Sequence, residues 1–218
     1  MKQLVTKFKD MYYYFILFYY LKDAESVLDV GCGANSPLGK VKKTFKSEGI
    51  DIFEPSIIAS KKLGIHDLYK IGDIKKLSSY YKPKSFDIVI ALDVIEHLKK
   101  NQALALIKEM EKIARKKVIL LTPNGFHHQA HLDGNLHQEH LSGWTVADFQ
   151  KNNYKTRGIR GLKNLRGEYA SIKIKPWILW GTISFISEPL LYYFPKQSYH
   201  LFAFKNLPSS HQKKNNSH

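Results

Sequence analysis

The chain has 218 residues and sets 34 Lys and Arg against 19 Asp and Glu, a formal charge of +15. That length suits one domain with a sizeable core, and the charge could draw nucleic acid, anionic lipid or an acidic small molecule, although the lysines are scattered as on an ordinary solvated surface. The single cysteine, Cys32, excludes an internal disulfide, a CxxC pair and a zinc ribbon, and fits a reducing, cytoplasmic compartment.

The first element is a leading helix that ends near Lys22, within a helical cap over 1–25. Its stretch Met11 to Leu21, MYYYFILFYYL, follows Lys2, Lys7 and Lys9 but is too short to span a membrane and has no small-residue cleavage site. Ser26 to Val30 is an apolar strand, and Gly31 and Gly33 then allow a tight turn and a close ligand approach. Asp29 is an acid set into that apolar run, where a carboxylate needs a partner. Ser36 and Pro37 start a helix expected to run through Leu38, Val41 and Phe45 to about Ser47.

Gly49 to Ile52 reads as a second strand, and Glu54 to Leu63 as a second helix. Asp51 lies 20 residues past Gly31, where a nucleoside-binding Rossmann fold places an acid on the ribose diol. Leu68 to Ile71 is a third strand, followed by Gly72, Asp73 and Ile74. Phe86 to Leu92, FDIVIAL, is a fourth, with Asp93 at its carboxyl end. Asn101 to Ala114 is an amphipathic helix whose Leu104, Ile107, Met110 and Ile113 face the core. Lys117 to Leu121 is the fifth strand, and Thr122 to Gly125 a turn.

Gly125 to Gly143 is a polar loop holding His127, His131, His137 and His140 among its histidines. Their spacing, with Asp133 and Glu139 between, admits a metal-ligand reading, but Gly134 and the lack of a helical period argue against it, so no metal is assigned. Trp144 to Asn152 is a helix, Tyr154 to Gly161 the sixth strand and Tyr199 to Lys205 the seventh. The segment 162–198 is too long for a turn and reads as an inserted, aromatic-rich substrate cap. Residues 208–218 form a polar tail, leaving one domain over 1–207.

The alternation predicts an α/β fold: a Rossmann-like, doubly wound, mostly parallel seven-stranded sheet with an aromatic-rich insertion between its last two strands. VLDVGCG, GIDIFEPSI, IGDI and FDIVIALDVIEHL, in that order, resemble the motifs of class I S-adenosylmethionine-dependent methyltransferases, and ILLTPNG and QEHLSGW are similar to their small-molecule-type members (type 11/23-like). The resemblance covers Ser26 to Gly161. It implies S-adenosylmethionine as cofactor, with Gly31 and Gly33 under its methionine part and Asp29 at its amino end. Asp51 would hold the ribose, Asp73 the adenine amino group, Ile52 and Ile74 the ring faces, and Asp93 the transfer site. Asp73, Asp93 and Glu96 are also plausible turn or helix caps. Asn35 stands where a third glycine is common, a position Asn tolerates. A dehydrogenase reading would need glycine at Ser36.

The sulfonium is already an activated donor, so no one catalytic residue is demanded, but a hydroxyl or protonated-amine acceptor benefits from a base. His140 is the preferred base, with His97 and His137 as the others. Trp177 to Phe194 favours a small, lipophilic acceptor with an O, N or C nucleophile, such as a lipid, a quinone-like or an isoprenoid-linked molecule. It also admits peripheral contact with a membrane. The alternatives are an RNA methyltransferase using the basic stretch Lys151 to Lys175, and a non-catalytic cofactor-binding module at a membrane surface.

Overall fold

The computed structural model describes residues 10–129, 138–167 and 171–208. The predicted roles of His131, Asp133, Gly134 and His137, and the tail beyond Pro208, fall outside these residues.

Helix α1, Met11–Leu21, leads into strand β1, Ser26–Val30, whose Val27, Leu28 and Val30 are fully buried. β2 is Lys46–Asp51, α2 Glu54–Lys62, β3 Leu68–Ile71, α3 Leu77–Tyr80 and β4 Phe86–Leu92. They are followed by α4, Lys100–Ile113, β5, Ala114–Pro123, α5, Val146–Lys151, and β6, Lys155–Leu162. α6, Trp177–Ile186, and α7, Glu188–Leu191, precede β7, Ser198–Asn206. The sheet order is β3-β2-β1-β4-β5-β7-β6, with β7 antiparallel to both its neighbours and the other pairings parallel. This is the expected seven-stranded doubly wound architecture, with ligand space beyond the carboxyl ends of the parallel strands.

Two apolar layers sandwich the sheet. On one face Leu28, Val89, Val118 and Leu120 pack with Ile107, Met110 and Ile113 of α4 and with Phe149 of α5. Leu104 is only half-buried at the edge of that layer, a correction to its predicted core place. On the other face α1 buries Tyr13, Ile16, Leu17, Tyr20 and Leu21 against Val27, Ile90, Ile119 and Phe202. The Tyr20 ring lies 4.6 Å from that of Phe204 and its hydroxyl 3.0 Å from that of Tyr192, so the aromatic leader is largely core.

The predicted helix from Ser36 to Ser47 does not form. Only Pro37–Lys40 makes a 3-10 turn, Val41 is extended, and β2 starts at Lys46. Gly39 weakens a helix in its first turn, and a Cβ there would stand 3.2 Å from Ile65. Leu38, Val41 and Phe45 have helical spacing, yet they reach the core from an irregular segment that Lys43 pins by donating to the Ile65 carbonyl at 2.7 Å. The fifth strand runs to Pro123, into the predicted turn Thr122 to Gly125, because Leu120 to Pro123 pair with β7.

At the amino-terminal edge of the sheet, buried Asp87 accepts from the Glu25 N–H at 2.9 Å, Arg115 Nε at 2.8 Å and Lys116 Nζ at 2.9 Å. Burial alone would raise its pKa, but these donors hold it down at about 2. Asp87→Asn is therefore expected to cost about 1–2 kcal/mol at pH 7, allowing for the exposure of Arg115 and Lys116. An acid with a depressed folded pKa stabilises fully above its ordinary value of 3.8, and the gap should close as pH falls through about 2. Urea melts of both proteins between pH 7 and 2.5 measure it; a constant gap would refute the ionic origin.

Candidate functional site

The loop after β1 is shaped by its glycines. Gly31 has φ +69°, and a Cβ there would stand 2.8 Å from a Val94 methyl. Gly33 has φ +57°, and nothing lies within 4 Å of where its Cβ would be, so the loop backbone faces open space. The Gly31 and Cys32 N–H groups both donate to the Ile50 carbonyl, at 2.8 and 3.1 Å, which turns the loop back over β2. Asp51 joins the two loops: its Oδ2 accepts from Gly33 N–H at 2.8 Å and its Oδ1 from Phe53 N–H at 2.9 Å. The half-buried carboxylate is thus pre-set at the rim of the open space.

Asp29 is buried beneath that loop. Its Oδ2 accepts from Ser36 Oγ at 2.5 Å and lies 3.4 Å from His66 Nε2. Burial raises the Asp29 pKa to about 7, partly offset by Ser36, and burial lowers that of His66 to about 4, so neither contact is a fixed ion pair. Gly49 makes room for this arrangement, since a Cβ there would stand 2.7 Å from His66 and 2.8 Å from Cys32 Sγ.

Along the rim, Asp73 caps the 3-10 turn Ile74–Lys76, accepting from Lys75 N–H at 3.0 Å. Ile52 is 41% exposed, while Ile74 is half-buried against the core. The two faces that would hold an adenine ring are therefore unequally packed, with Ile74 supported by the core and Ile52 open to solvent.

Asp93 and Glu96 do not cap the turn Ile95–His97, which has no side-chain cap bond. Asp93, at φ +57°, sends Oδ2 to Arg160 Nη1 at 3.1 Å and Oδ1 to within 3.2 Å of His200 Nε2. Burial opposes its charge, but Arg160 and His200 hold its pKa well below the carboxylate range. Arg160 also lies 3.3 Å from Asp10 and sits over the Tyr13 ring at 4.8 Å. Glu96 is 2% exposed, its pKa pushed up by burial and by Asp93. The carboxyl end of β4 thus meets the ends of β6 and β7 through charge.

Beside this cluster, His97 and His140 have ring centroids 4.9 Å apart. His97 Nδ1 lies 3.1 Å from the Glu139 carbonyl and His140 Nδ1 2.7 Å from the His127 carbonyl. Glu96, His97 and His140 each offer a metal-ligating atom, all within 4.8 Å of one another. The structure therefore joins two of the three predicted bases across separate loops and adds Glu96. Sequence reasoning missed Arg160, His200, His66 and Gly49; the one local cue was a histidine inside the apolar run YHLFAF.

The insertion packs where β6 ends and β7 begins. Arg166 Nη2 donates to Ser184 Oγ at 3.1 Å, and buried Glu188, its pKa raised to about 7 by burial, faces Arg166. Outward, Ile178 is 63%, Ile186 70%, Leu190 64% and Tyr193 70% exposed. No helix among the described residues is long and apolar enough to cross a membrane.

Residues 28–122 match the family described as Methyltransferase domain. The chain is similar in structure to a S-adenosylmethionine-dependent methyltransferase from Archaeoglobus fulgidus, with a TM-score of 0.61 at 17% identity, covering 95% of each chain. It is also similar to the methyltransferase domain of bacterial CtHen1, with a TM-score of 0.56 at 19% identity over 91% of this chain and 100% of that one. For magnesium protoporphyrin IX methyltransferase from Synechocystis PCC 6803 with bound SAH, the TM-score is 0.55 at 15% identity, over 95% and 88%. No curated protein matches. The matched segment runs from β1 into β5 and carries the glycine loop, Asp51, Asp73 and Asp93, and the fold is the one seen in S-adenosylmethionine-dependent methyltransferases.

Proposed function

We propose that this protein moves the methyl group of S-adenosylmethionine to a nucleophile of a small, lipophilic acceptor that it meets at a membrane surface. The observation that carries the acceptor side is the insertion: its apolar residues are exposed along the outer strand β6, from its carboxyl end, where Ser184 meets Arg166, down to Arg157 beside Tyr192 and Tyr193, and Lys173, Lys175 and Lys196 flank them. The donor side is supported by the open space at Gly33 and the carboxylate of Asp51 at its rim. Bound there, the cofactor supplies an activated methyl, and the chain's residues need only bind, orient and exclude water. Asp51 would hold the ribose diol, Asp73 the adenine amino group and Ile52 and Ile74 the ring, with Asp93 bordering the transfer site.

Asp29 would meet the cofactor's ammonium from below. Because burial holds its pKa at about 7, cation binding must expel a proton below that pH. Cofactor affinity is expected to rise from pH 5.5 to about 7, then flatten until the cofactor's own amino group titrates near pH ~8. Calorimetry across pH reads this slope, and Asp29→Asn should abolish it; a slope that survives the substitution assigns the proton elsewhere.

An RNA acceptor finds less support. Of the basic residues from Lys151 to Lys175, Arg160 and Arg166 are turned inward and Arg157 stacks 4.9 Å from the Tyr192 ring. The deciding experiment is transfer of labelled methyl into fractionated extracts: label in the lipid fraction supports this function, and label confined to RNA overturns it. Cosedimentation is expected with anionic vesicles, and to be lost in Ile178→Glu/Ile186→Glu. Equal recovery without vesicles would remove the membrane from the proposal.

A further inference from the structure

His97 and His140, which the sequence offers as bases, are arranged for a different task. A general base needs one free ring nitrogen beside its substrate, whereas here two rings and a carboxyl converge on one another. Both Nδ1 atoms face backbone carbonyls, Glu139 for His97 and His127 for His140, so each Nδ1 carries the hydrogen and each Nε2 keeps its lone pair. A carbonyl holding the far nitrogen is the arrangement that orients metal-bound histidines. Glu96 adds a buried carboxyl whose Oε2 has no hydrogen-bond partner among the described residues, a costly state unless a proton or a cation completes it. Its own backbone carbonyl accepts from Leu141 N–H at 2.8 Å and Ser142 N–H at 3.0 Å, which clamps the His140 loop against the turn bearing Glu96 and His97.

We propose that Glu96, His97 and His140 form a divalent transition-metal site at the carboxyl end of β4, and that the acceptor of this methyltransferase is a hydroxyl compound which reaches the metal's open positions. This rests on the methyltransferase reading. The ligand atoms lie within 4.8 Å of one another, and a cation with bonds of about 2.1 Å sets its ligands about 3–4 Å apart, a contraction within reach of small side-chain rotations. Two imidazoles and one carboxylate select zinc, manganese, iron or cobalt over magnesium or calcium. The flanking acid Asp93 is not counted as the fourth ligand, because its Oδ2 accepts from Arg160 at 3.1 Å and its Oδ1 lies 3.2 Å from His200 Nε2. Three protein ligands leave positions open, as catalytic rather than structural sites do. His97 and His140 are half-buried, so those positions face the crevice. A hydroxyl that binds there releases its proton to solvent more readily. Its oxygen then bonds to the methyl carbon as the carbon–sulfur bond breaks, and that electron pair stays on sulfur. His140 is then a ligand, not a base.

The test is titration of the chelator-treated full chain with Co2+, read by visible absorption, with Zn2+ as competitor. One Co2+ per chain with ligand-field bands is expected, together with a loss of about 100-fold in affinity in both His97→Ala and His140→Ala. Glu96→Gln should weaken binding likewise, and thermal melts of each variant establish folding; if His97→Ala fails to fold, His140→Ala gives the same reading. Absence of saturable Co2+ binding, or binding that survives His97→Ala/His140→Ala, overturns the site. Calorimetry with S-adenosylmethionine on the same samples separates the two ideas. Cofactor binding without metal overturns the site alone, and metal binding without cofactor supports the site while overturning the methyltransferase reading.

Discussion

Arg160→Leu is expected to lower the stability of the protein by about 3 kcal/mol, the range found when one partner of a buried ion pair is removed. Arg160 is 17% exposed in its side chain and serves Asp93 at 3.1 Å, Asp10 at 3.3 Å and His200 at 3.1 Å. It links α1, β4, β6 and β7. Leucine fills the space over Tyr13 but leaves Asp93 with His200 alone, whose pKa burial lowers to about 4, so it brings no charge at neutral pH. Arg160 already has φ +59°, so backbone strain is common to both proteins and cancels. Asp93 is 36% exposed and can recruit water, which keeps the figure at the lower end. Arg160→Leu/Asp93→Asn should cost less than the sum of the single changes, because it removes both charges together. Urea denaturation of the four proteins in that cycle measures this; additivity, or a loss under about 1 kcal/mol for Arg160→Leu, would show that the pair is not coupled.

The parts of the fold that could be read from sequence are those whose cause is local. β3 and β4 fall where Leu68 to Ile71 and Phe86 to Leu92 predict them; for β4 the cause is an apolar run closed by an acid, which has few other uses in an α/β chain. The helix expected from Ser36 failed for a non-local reason. Leu38, Val41 and Phe45 are buried, but with α1 and Ile65, partners that lie elsewhere in the sequence and that an irregular segment reaches as well as a helix does. The charged cluster was hidden in the same way. Arg160 looked like one more cation in a basic stretch, and Asp93 meets it across 67 residues of sequence. His140 and His97 were both singled out, yet the feature that changes their meaning, the carbonyls that fix their tautomers, depends on how the loop folds back and leaves no local signature.

Asp51→Ala should weaken S-adenosylmethionine binding by about 100-fold while leaving the fold nearly as stable, the largest expected effect on the donor side. A ribose diol bound to a carboxylate makes two charge-assisted hydrogen bonds, each worth about 1.5–3 kcal/mol. The same carboxylate now accepts Gly33 N–H at 2.8 Å and Phe53 N–H at 2.9 Å. Alanine therefore removes the ribose acceptors and also frees the Gly33 loop to move, so that the backbone below the methionine part of the cofactor is no longer preset. Stability should fall by only about 1 kcal/mol, because both donors sit at a half-exposed rim where water can replace the carboxylate. Asp51→Asn distinguishes the two contributions. Its amide oxygen can keep one backbone donor, but its NH2 group faces the other, so the loop tie is half lost and one diol partner with it; an affinity between those of wild type and alanine follows. Calorimetry at fixed pH gives all three constants, and an unchanged affinity in Asp51→Ala would move the ribose site away from the end of β2.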